Sequence, residues 1–493
     1  MPQLICILQR EEEEDSIMKR SVRFRKMKKV LSAMLLSGLL TFSAASAAEL
    51  PAQSRENLDC ELEDMVGYTG TKVPGLGVIV YKDGEEIYSR FMGRRYIDSE
   101  NPAKDLPVTR DTRFRVASVS KHFTIFTIMQ LVEQGKLDLD ADASKYLGFS
   151  LRNPNYPDTP ITVRMLASHT SSLRDGKVYS LAPELSVKEF FSPTGKNWEN
   201  GAHFAPKGED PGEFFCYANL NYGLLGTIIE CVTGERFDKY QKNHILKQLD
   251  IKADYLPGGL GKKEFSRLGT LYRKGKDGAW NERGPWQASM YDFKGTRPGK
   301  DYVFLQNPYE EQGQRAVSLS GYRVGTNATF FSPQGGLCIS YDELGHLLEM
   351  LMNGGVYRGQ RIVRQDLLEE MFRPQWVYDA TKNNGNDYGG SLPCYGMGEY
   401  VMGGDSTARP CKDLNITLAG HLGEAYGLFS GVLLIPGTKD GFIYMMNGEA
   451  VEEDEDARSA GKYSGNYIWE EHVMDAVCRN AFPERAGEPT ATK

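Results

Sequence analysis

The feature that most constrains this chain is an apolar helix signal that begins at a serine and a lysine. The stretch is FRVASVSKHFTIFTIMQLVEQG, residues 114–135. Apolar side chains cover most of the surface of a helix that begins at Ser118 and ends at Gly135, so we expect a buried helix. Residues three apart share a helix face, so the Lys121 amine can reach the Ser118 hydroxyl. The first turn favours negative charge because its backbone N–H groups are unpaired, which suits a serine that must become an alkoxide.

A Ser-x-x-Lys pattern is weak evidence by itself, because both residues are common. A second copy occupies residues 459–462, between an acidic run at 452–456 and a Gly-containing stretch. No apolar helix follows this copy, and we interpret it as a solvated loop. The context therefore favours Ser118 as the functional serine.

The amino terminus has the pattern of a secretory signal peptide. Seven basic side chains within residues 18–29 precede an apolar run at 30–42, and small residues at 45–47 supply a cleavage site. We expect cleavage near Ala47, leaving a secreted or periplasmic mature domain of residues 48–493 with no stable membrane span. An uncleaved anchor is the alternative. Residues 1–17 fit no signal pattern, which makes Met18 or Met27 the candidate true start.

Charge and cysteine content narrow the possible partners. Removing residues 1–47 changes the formal net charge from −8 to −11, and an acidic surface argues against nucleic acid. Seven cysteines remain, so at least one is unpaired. Disulfides are allowed outside the cytoplasm but not required, and Cys394 with Cys411 is the first candidate pair by sequence proximity, although spacing alone does not establish a bond. No group of Cys and His has zinc-like spacing, so we predict no metal and no cofactor.

Two hairpins are predicted near the ends of the chain, and the turn residues between apolar runs locate them. They cover residues 76–91 and 428–446. Apolar periodicity predicts further helices at 222–233, 341–353 and 468–482. Two long segments rich in glycine, 257–333 and 381–413, lack sustained periodicity, so we expect them to form functional loops.

Two short motifs are further site candidates. Tyr217-Ala218-Asn219 is the only Tyr-x-Asn in the chain and precedes a helix, where both side chains can project into one cleft. A buried tyrosine beside a turn-forming asparagine is the alternative. His421-Leu422-Gly423 is the only His-x-Gly, and its glycine would let a substrate approach the strand backbone closely. We interpret His169, among Ser and Thr, as a hydrogen-bonded structural residue rather than a catalytic base.

Taken in order, these three motifs resemble those of the serine β-lactamase and penicillin-binding superfamily of class C type. The phrases FRVASVSK at 114–121, LASHTSSL at 166–173 and NYGLLG at 221–226 add to the resemblance, which covers nearly all of the mature chain. It implies an α+β fold, with an antiparallel sheet flanked by helices and built from about 60–115 and 415–493. A mainly helical region, about 116–414, would be inserted between these parts, with the active site at their junction.

The resemblance also implies a role for each motif. Ser118 would be the acylated nucleophile, and Lys121 and Tyr217 would share the base and proton-relay work. Asn219 would orient the acyl side chain. His421 would hold a substrate carboxylate or the Tyr217 hydroxyl, with Gly423 beside it. Backbone N–H groups of Ser118 and Glu424 would form the oxyanion hole.

The third motif limits how far function can be inferred. β-Lactamases of this type usually have Lys-Thr-Gly there, whereas this chain contains none, and His421 makes it more similar to D-alanyl-D-alanine peptidases, D-aminopeptidases and esterases. Loss of a fixed cation, with Glu424 following Gly423, argues against tight binding of carboxylate-bearing β-lactams. We therefore expect an extracytoplasmic serine hydrolase acting on a small, peptidoglycan-derived peptide or amide, or on an ester. The alternatives are a true β-lactamase and a binding protein that has lost turnover.

Overall fold

The computed structural model describes residues 49–68, 72–274, 286–305, 315–403, 409–449 and 461–485. The predicted signal peptide and Ser459 of the second Ser-x-x-Lys copy lie outside these residues. The strands are β1 Gly75–Lys82, β2 Glu85–Tyr96, β3 Leu106–Pro107, β4 Arg113–Arg115, β5 Leu271–Lys274, β6 Trp286–Met290, β7 Tyr302–Leu305, β8 Arg315–Ser318, β9 Cys338–Ser340, β10 Val356–Tyr357, β11 Gln360–Arg361, β12 Trp376–Val377, β13 Cys394–Tyr395, β14 Tyr400–Met402, β15 Leu418–Ala425, β16 Leu428–Leu434 and β17 Gly441–Asn447.

Ten α-helices accompany these strands in the described part of the chain. They are α1 Ala52–Asp64, α2 Ser120–Glu133, α3 Ser144–Leu147, α4 Val163–Ala167, α5 Asn219–Thr233, α6 Phe237–Tyr240, α7 Lys262–Phe265, α8 Tyr341–Met352, α9 Gln365–Phe372 and α10 Ile468–Ala481. None of the described helices combines the length and apolar character needed to cross a bilayer.

One antiparallel sheet of nine strands organises the fold, in the order β12-β13-β14-β15-β16-β17-β1-β2-β3. Its centre joins the two ends of the chain, because residues Gly75 to Tyr81 of β1 pair with the whole of β17. Both predicted hairpins are confirmed, since β1 pairs with β2 and β16 pairs with β17. At the first turn Asp83 and Gly84 both have positive φ, the geometry that suits a two-residue hairpin turn.

Helices cover both faces of this sheet. Ile443 and Met445 of β17 pack into a core shared with α2, α5 and α8. Phe442 and Tyr444, which alternate with them, pack into a second core with α1 and α10. This double burial explains why every residue of β17 is buried rather than every second one. The structure confirms the α+β fold class.

The helix that carries the serine-lysine pair is buried, as its sequence predicts. All side chains from Ser120 to Leu131 of α2 are buried, and Gly135 after its end has positive φ. A short 3-10 turn, Ala117–Val119, leads into it. Because Ser118 lies in that turn, it occupies the entrance to α2 rather than its interior.

The other predicted helices need small corrections to their boundaries. Helix α5 begins at Asn219, three residues before the predicted start. The reason is a long-range cap, since the backbone N–H of Leu220 donates to a carboxylate oxygen of Asp175 at 2.8 Å. Helices α8 and α10 agree with the predictions, and α8 has a capping box between Ser340 and Glu343.

The two glycine-rich segments contain strands that periodicity does not reveal. Strands β5 and β6 pair within the first segment, as do β7 and β8. In the second segment β13 and β14 extend the main sheet towards β15. These strands are two to five residues long, too short to show an alternating pattern. The sheet therefore takes strands from within the segment 116–414 that was expected to be mainly helical.

Cys394 and Cys411, the candidate pair, are not bonded to each other. Seven cysteines in the described residues are all free thiols. Cys394 lies on β13 opposite Val377, whereas the Cys411 thiol donates to a carboxylate oxygen of Asp475 on α10 at 3.1 Å. The two cysteines are close in sequence but have different surroundings. Cys394 lies on a strand of the main sheet, whereas Cys411 contacts a helix that packs against the sheet.

Candidate active site

Ser118 lies where the turn before α2 meets strand β15. Ala117, directly before it, has a φ of 46°, a left-handed conformation that is costly for a residue with a side chain. A Cβ atom on Gly423 would lie 2.5 Å from the Val116 carbonyl oxygen and 3.1 Å from the Ser118 backbone nitrogen. Only glycine allows β15 to approach the turn this closely. The predicted role of Gly423 in close backbone approach thus has a geometric basis, although the approach is to the serine turn.

Lys121 is the polar centre of the site. Its Nζ lies 3.0 Å from Ser118 Oγ, 3.2 Å from Asn219 Oδ1 and 3.1 Å from the carbonyl oxygen of Gln334. The side chain is fully buried. Burial holds the pKa of the Lys121 amine well below its usual range, and the negative charge of Asp175 opposes this shift only in part.

Three oxygens surround the Lys121 amine, and Nζ donates to Ser118 Oγ, Asn219 Oδ1 and the Gln334 carbonyl oxygen. The lowered pKa favours loss of one of its protons. A neutral amine has two N–H donors and one lone pair, and the oxygens of Asn219 and Gln334 can only accept, so in that form the lone pair faces the Ser118 hydroxyl. The arrangement can therefore remove the hydroxyl proton from Ser118.

Tyr217 lies on the other side of the amine. The centroid of its ring is 4.7 Å from Lys121 Nζ. The Tyr217 hydroxyl is buried, and it forms no hydrogen bond of normal geometry with another described residue. Burial raises the pKa of Tyr217, while the nearby hydroxyls of Ser118 and Tyr400 act in the opposite direction. The phenol is therefore protonated in the resting site and can donate a proton.

His169 supports Tyr217, as its interpretation as a structural residue predicts. The imidazole is buried and stacks on the Tyr217 ring at 4.2 Å between centroids. Its Nδ1 accepts hydrogen bonds from the Ala218 backbone and the Asn221 side chain, both at 3.1 Å. Burial, with Lys121 nearby, lowers the pKa of His169, so the ring is neutral.

Asn219 is fixed between Lys121 and an aspartate that the sequence analysis missed. Its Nδ2 donates to Asp175 Oδ2 at 3.2 Å, and the other oxygen of Asp175 caps α5 at Leu220. Burial raises the pKa of Asp175, and these hydrogen bonds counteract the shift. The only signal for Asp175 in the sequence is its position shortly after the LASHTSSL phrase.

His421 does not lie in the cleft, which corrects its expected role in holding a substrate carboxylate. The side chain is fully buried, and it does not line the cleft at Ser118. Its Nδ1 faces the Leu422 carbonyl oxygen, which can only accept, so Nε2 accepts from the Tyr395 hydroxyl at 3.1 Å. Burial, with Lys121 and His122 nearby, lowers the pKa of His421, which leaves the ring uncharged.

The cleft beside Ser118 has a volume of about 600 Å³. Its walls include Tyr217, Asn219, Gly423 and Glu424 from the predicted set. The backbone of β15 at Gly423 and Glu424 thus borders the same space as Ser118, as an oxyanion hole requires.

Further residues that line the cleft were not found from the sequence. They come from the connection before β13, from β14 and β15, and from the segment that leads into α10 and its first turn, and they are Tyr388, Gly389, Gly390, Ser391, Leu392, Tyr400, Leu422, Gly461, Lys462, Tyr463, Gly465, Asn466, Tyr467 and Glu470. Leu422 belongs to the His-x-Gly motif, and Gly461 and Lys462 belong to the second Ser-x-x-Lys copy, which the sequence analysis interpreted as a solvated loop. No local motif marks the others. Within the described ranges, no group of three or more His, Cys, Asp and Glu side chains is placed to hold a metal ion.

A profile of the beta-lactamase family matches residues 59–464. This chain belongs to the beta-lactamase family. The match confirms the resemblance to the serine β-lactamase and penicillin-binding superfamily.

Three similar proteins extend this comparison. "Protein flp" of Staphylococcus aureus (strain MRSA252) is 30% identical over 202 residues, 40% of this chain and 38% of that protein. N-acetylmuramyl-L-alanine amidase of Bacillus subtilis (strain 168) is 28% identical over 303 residues, 58% of this chain and 60% of that protein. Both matches cover less than two thirds of the relative. The structure of D-amino acid amidase from Ochrobactrum anthropi SV3 superimposes with a TM-score of 0.57 at 20% identity, covering 88% of this chain and 100% of the amidase. At that identity the likeness is one of fold.

Proposed function

We propose that this protein is a serine hydrolase that forms an acyl-enzyme at Ser118 and cleaves small peptides, amides or esters. The observation that carries the proposal is the 3.0 Å contact between Ser118 Oγ and the Nζ of a fully buried lysine. A free serine hydroxyl is a poor nucleophile at neutral pH and needs an adjacent base. The low pKa of Lys121 provides one.

The pKa of Lys121 is lowered and that of Tyr217 is raised, so each residue is assigned a different proton transfer. The Lys121 amine, with its lowered pKa, takes the proton of Ser118 as the hydroxyl attacks the carbonyl carbon. The Tyr217 phenol, with its raised pKa, donates a proton to the departing nitrogen or oxygen. Lys121 then restores the proton to Tyr217. Water hydrolyses the acyl-enzyme by the reverse use of the same groups.

The backbone supplies the oxyanion hole. The N–H of Ser118 and the N–H of Glu424 would donate to the oxygen of the tetrahedral intermediate. Support for this comes from the closeness of β15 to the turn, which the absence of a side chain on Gly423 permits. Asn219, fixed by Asp175, would orient the acyl group.

The substrate class is proposed from the charge of the cleft. The exposed carboxylate of Glu424 lines it, and His421 is buried and neutral, so a carboxylate-bearing β-lactam meets repulsion there and no compensating histidine cation. Among the described residues that line the cleft, Lys462 is the cation, and it is exposed. A relative in sequence and a neighbour in fold are both named as amidases, which favours a D-alanyl-type peptide or an amide over a β-lactam. Export from the cytoplasm is part of the proposal and depends on the basic and apolar amino-terminal pattern.

A substrate panel tests the proposal. Wild-type protein and the Ser118→Ala variant are compared on D-Ala-D-Ala peptides, D-amino acid amides, p-nitrophenyl esters and nitrocefin. We expect hydrolysis of a peptide, amide or ester that the variant lacks. Rapid nitrocefin hydrolysis would favour a β-lactamase, covalent labelling without turnover would favour a binding protein, and full activity of Ser118→Ala would refute the role of Ser118.

A further inference from the structure

Glu470 is a buried carboxyl group in the wall of the cleft that holds Ser118. It is the third residue of α10 and is 3% exposed. Its Oε1 accepts a hydrogen bond from the Tyr444 hydroxyl at 3.2 Å, and the Tyr467 backbone supplies a further one. Both donors are neutral, and no described cationic side chain forms an ion pair with Glu470.

The carboxyl group of Glu470 is not needed to hold the segment that precedes α10, because the next residue, Glu471, holds it. The Glu471 carboxylate accepts the backbone N–H groups of Lys462, Tyr463 and Ser464 at 2.7, 3.0 and 2.9 Å. Glu471 thereby holds the segment 461–467 that forms one wall of the cleft. Glu470, directly beside it in sequence, makes none of these loop contacts and lines the cleft.

The groups around Glu470 leave its charge poorly compensated. Glu424 of β15 also lines the cleft and repels it, while Tyr400 of β14 and Tyr444 of β17 offer neutral hydroxyls. The exposed Lys462 is the remaining charged side chain of the cleft wall. Burial is the main cause that raises the pKa of Glu470, to about 8. A cation that enters the cleft would favour the carboxylate and gain a charged hydrogen bond.

We propose that Glu470 binds a primary ammonium group of the substrate, so that the enzyme prefers compounds with a free amine near the cleaved bond. This inference rests on the proposed function of Ser118 and adds the substrate class. The aromatic side chains that line the cleft, Tyr388, Tyr400, Tyr463 and Tyr467, suit the same ligand, because cations bind favourably over aromatic rings.

Two segments of the cleft wall touch each other. The segments 388–392 and 461–467 both line the cleft, and they meet at Gly465. A Cβ atom on Gly465 would lie 2.6 Å from the Ser391 backbone nitrogen, and its φ of 73° also favours glycine. This contact holds together the two segments that carry Tyr388, Tyr463 and Tyr467.

Competition with covalent labelling tests the proposal. A fluorophosphonate probe labels Ser118, and the slowing of labelling is measured with D-phenylalanine amide and with 3-phenylpropionamide, the same skeleton without the amine. In the wild type the amine should protect at concentrations at least about tenfold lower. Glu470→Gln should reduce this difference about tenfold or more, because a neutral hydrogen bond replaces a charged one. Glu56→Gln, an exposed carboxylate of α1 outside the cleft wall, is the matched control and should keep the difference.

The outcomes separate this inference from the proposed function. Absence of labelling in the wild type overturns the proposed function, and this inference with it. If the wild type is labelled but the two compounds protect it equally, the ammonium site is refuted and the proposed function is not. This result needs only the wild-type protein. A difference that survives in Glu470→Gln but is lost in Glu424→Gln also overturns the proposal, because the cation would then bind to the exposed carboxylate.

Discussion

Replacement of Lys121 by methionine should abolish acylation while leaving the protein folded. Methionine keeps most of the length and apolar volume of the lysine side chain but has no amine. A positioned general base contributes about 10²–10⁴-fold to such a reaction, which corresponds to about 3–5 kcal/mol of barrier. The 3.0 Å contact with Ser118 and the full burial of Lys121 place the variant near the upper end of that range.

The expected effect on stability is smaller because two changes oppose each other. The variant leaves the oxygens of Asn219 and Gln334 without this donor, at about 1–3 kcal/mol for each acceptor that stays unpaired. It also removes a buried amine whose desolvation already lowers its pKa, which stabilises the variant. We expect a net change in the free energy of unfolding within about 2 kcal/mol.

The assay measures the rate of fluorophosphonate labelling next to thermal unfolding. Lys262→Met, the same substitution at an exposed lysine of α7, should label at the wild-type rate. In the wild type the labelling rate should rise with pH as Lys121 loses its proton, with a midpoint well below the ordinary lysine pKa. Labelling of Lys121→Met within about twofold of the wild type would refute the assignment of the base.

Three further predictions follow from the same geometry. Asp175→Asn removes a negative charge that raises the pKa of Lys121, so the acid limb of the pH–acylation profile should move to lower pH; a shift to higher pH would contradict the electrostatics. Gly423→Ala would place a Cβ atom 3.1 Å from the Ser118 nitrogen. This should lower kcat/KM by about 10²-fold, which corresponds to about 3 kcal/mol of lost transition-state stabilisation. Near-normal kinetics would show that the turn is free to move. Glu470, whose pKa is about 8 when folded, keeps its proton longer in the folded state than in the unfolded state. Stability should therefore fall by on the order of 3–5 kcal/mol as pH rises from about 4.5 to about 8, and urea unfolding of Glu470→Gln should lack that fall.

The sequence was sufficient to predict the structure where a pattern is local and long. The helix after Ser118 is identifiable because apolar side chains recur on most of its surface, and all side chains from Ser120 to Leu131 are buried, the polar ones included. The hairpin at Asp83 and Gly84 is identifiable because its turn needs two residues with positive φ. The contact of Lys121 with Ser118 follows from helical spacing alone.

The sequence was insufficient to predict the structure where an element depends on partners far along the chain. Strands β13 and β14 exist because they pair with each other and with β15, and their own sequences are too short to alternate. The orientation of His421 depends on Tyr395 on a neighbouring part of the sheet. Asp175 and Glu470 reach the site through tertiary packing, and no spacing rule connects them with the three motifs.

The most direct test of the central claim is the position of the covalent adduct after reaction with a fluorophosphonate. Intact mass and peptide mapping are measured on wild type and on Ser118→Ala. We predict one adduct per chain, located on Ser118 and absent from the variant. An adduct on another residue, or equal labelling of Ser118→Ala, would contradict the account.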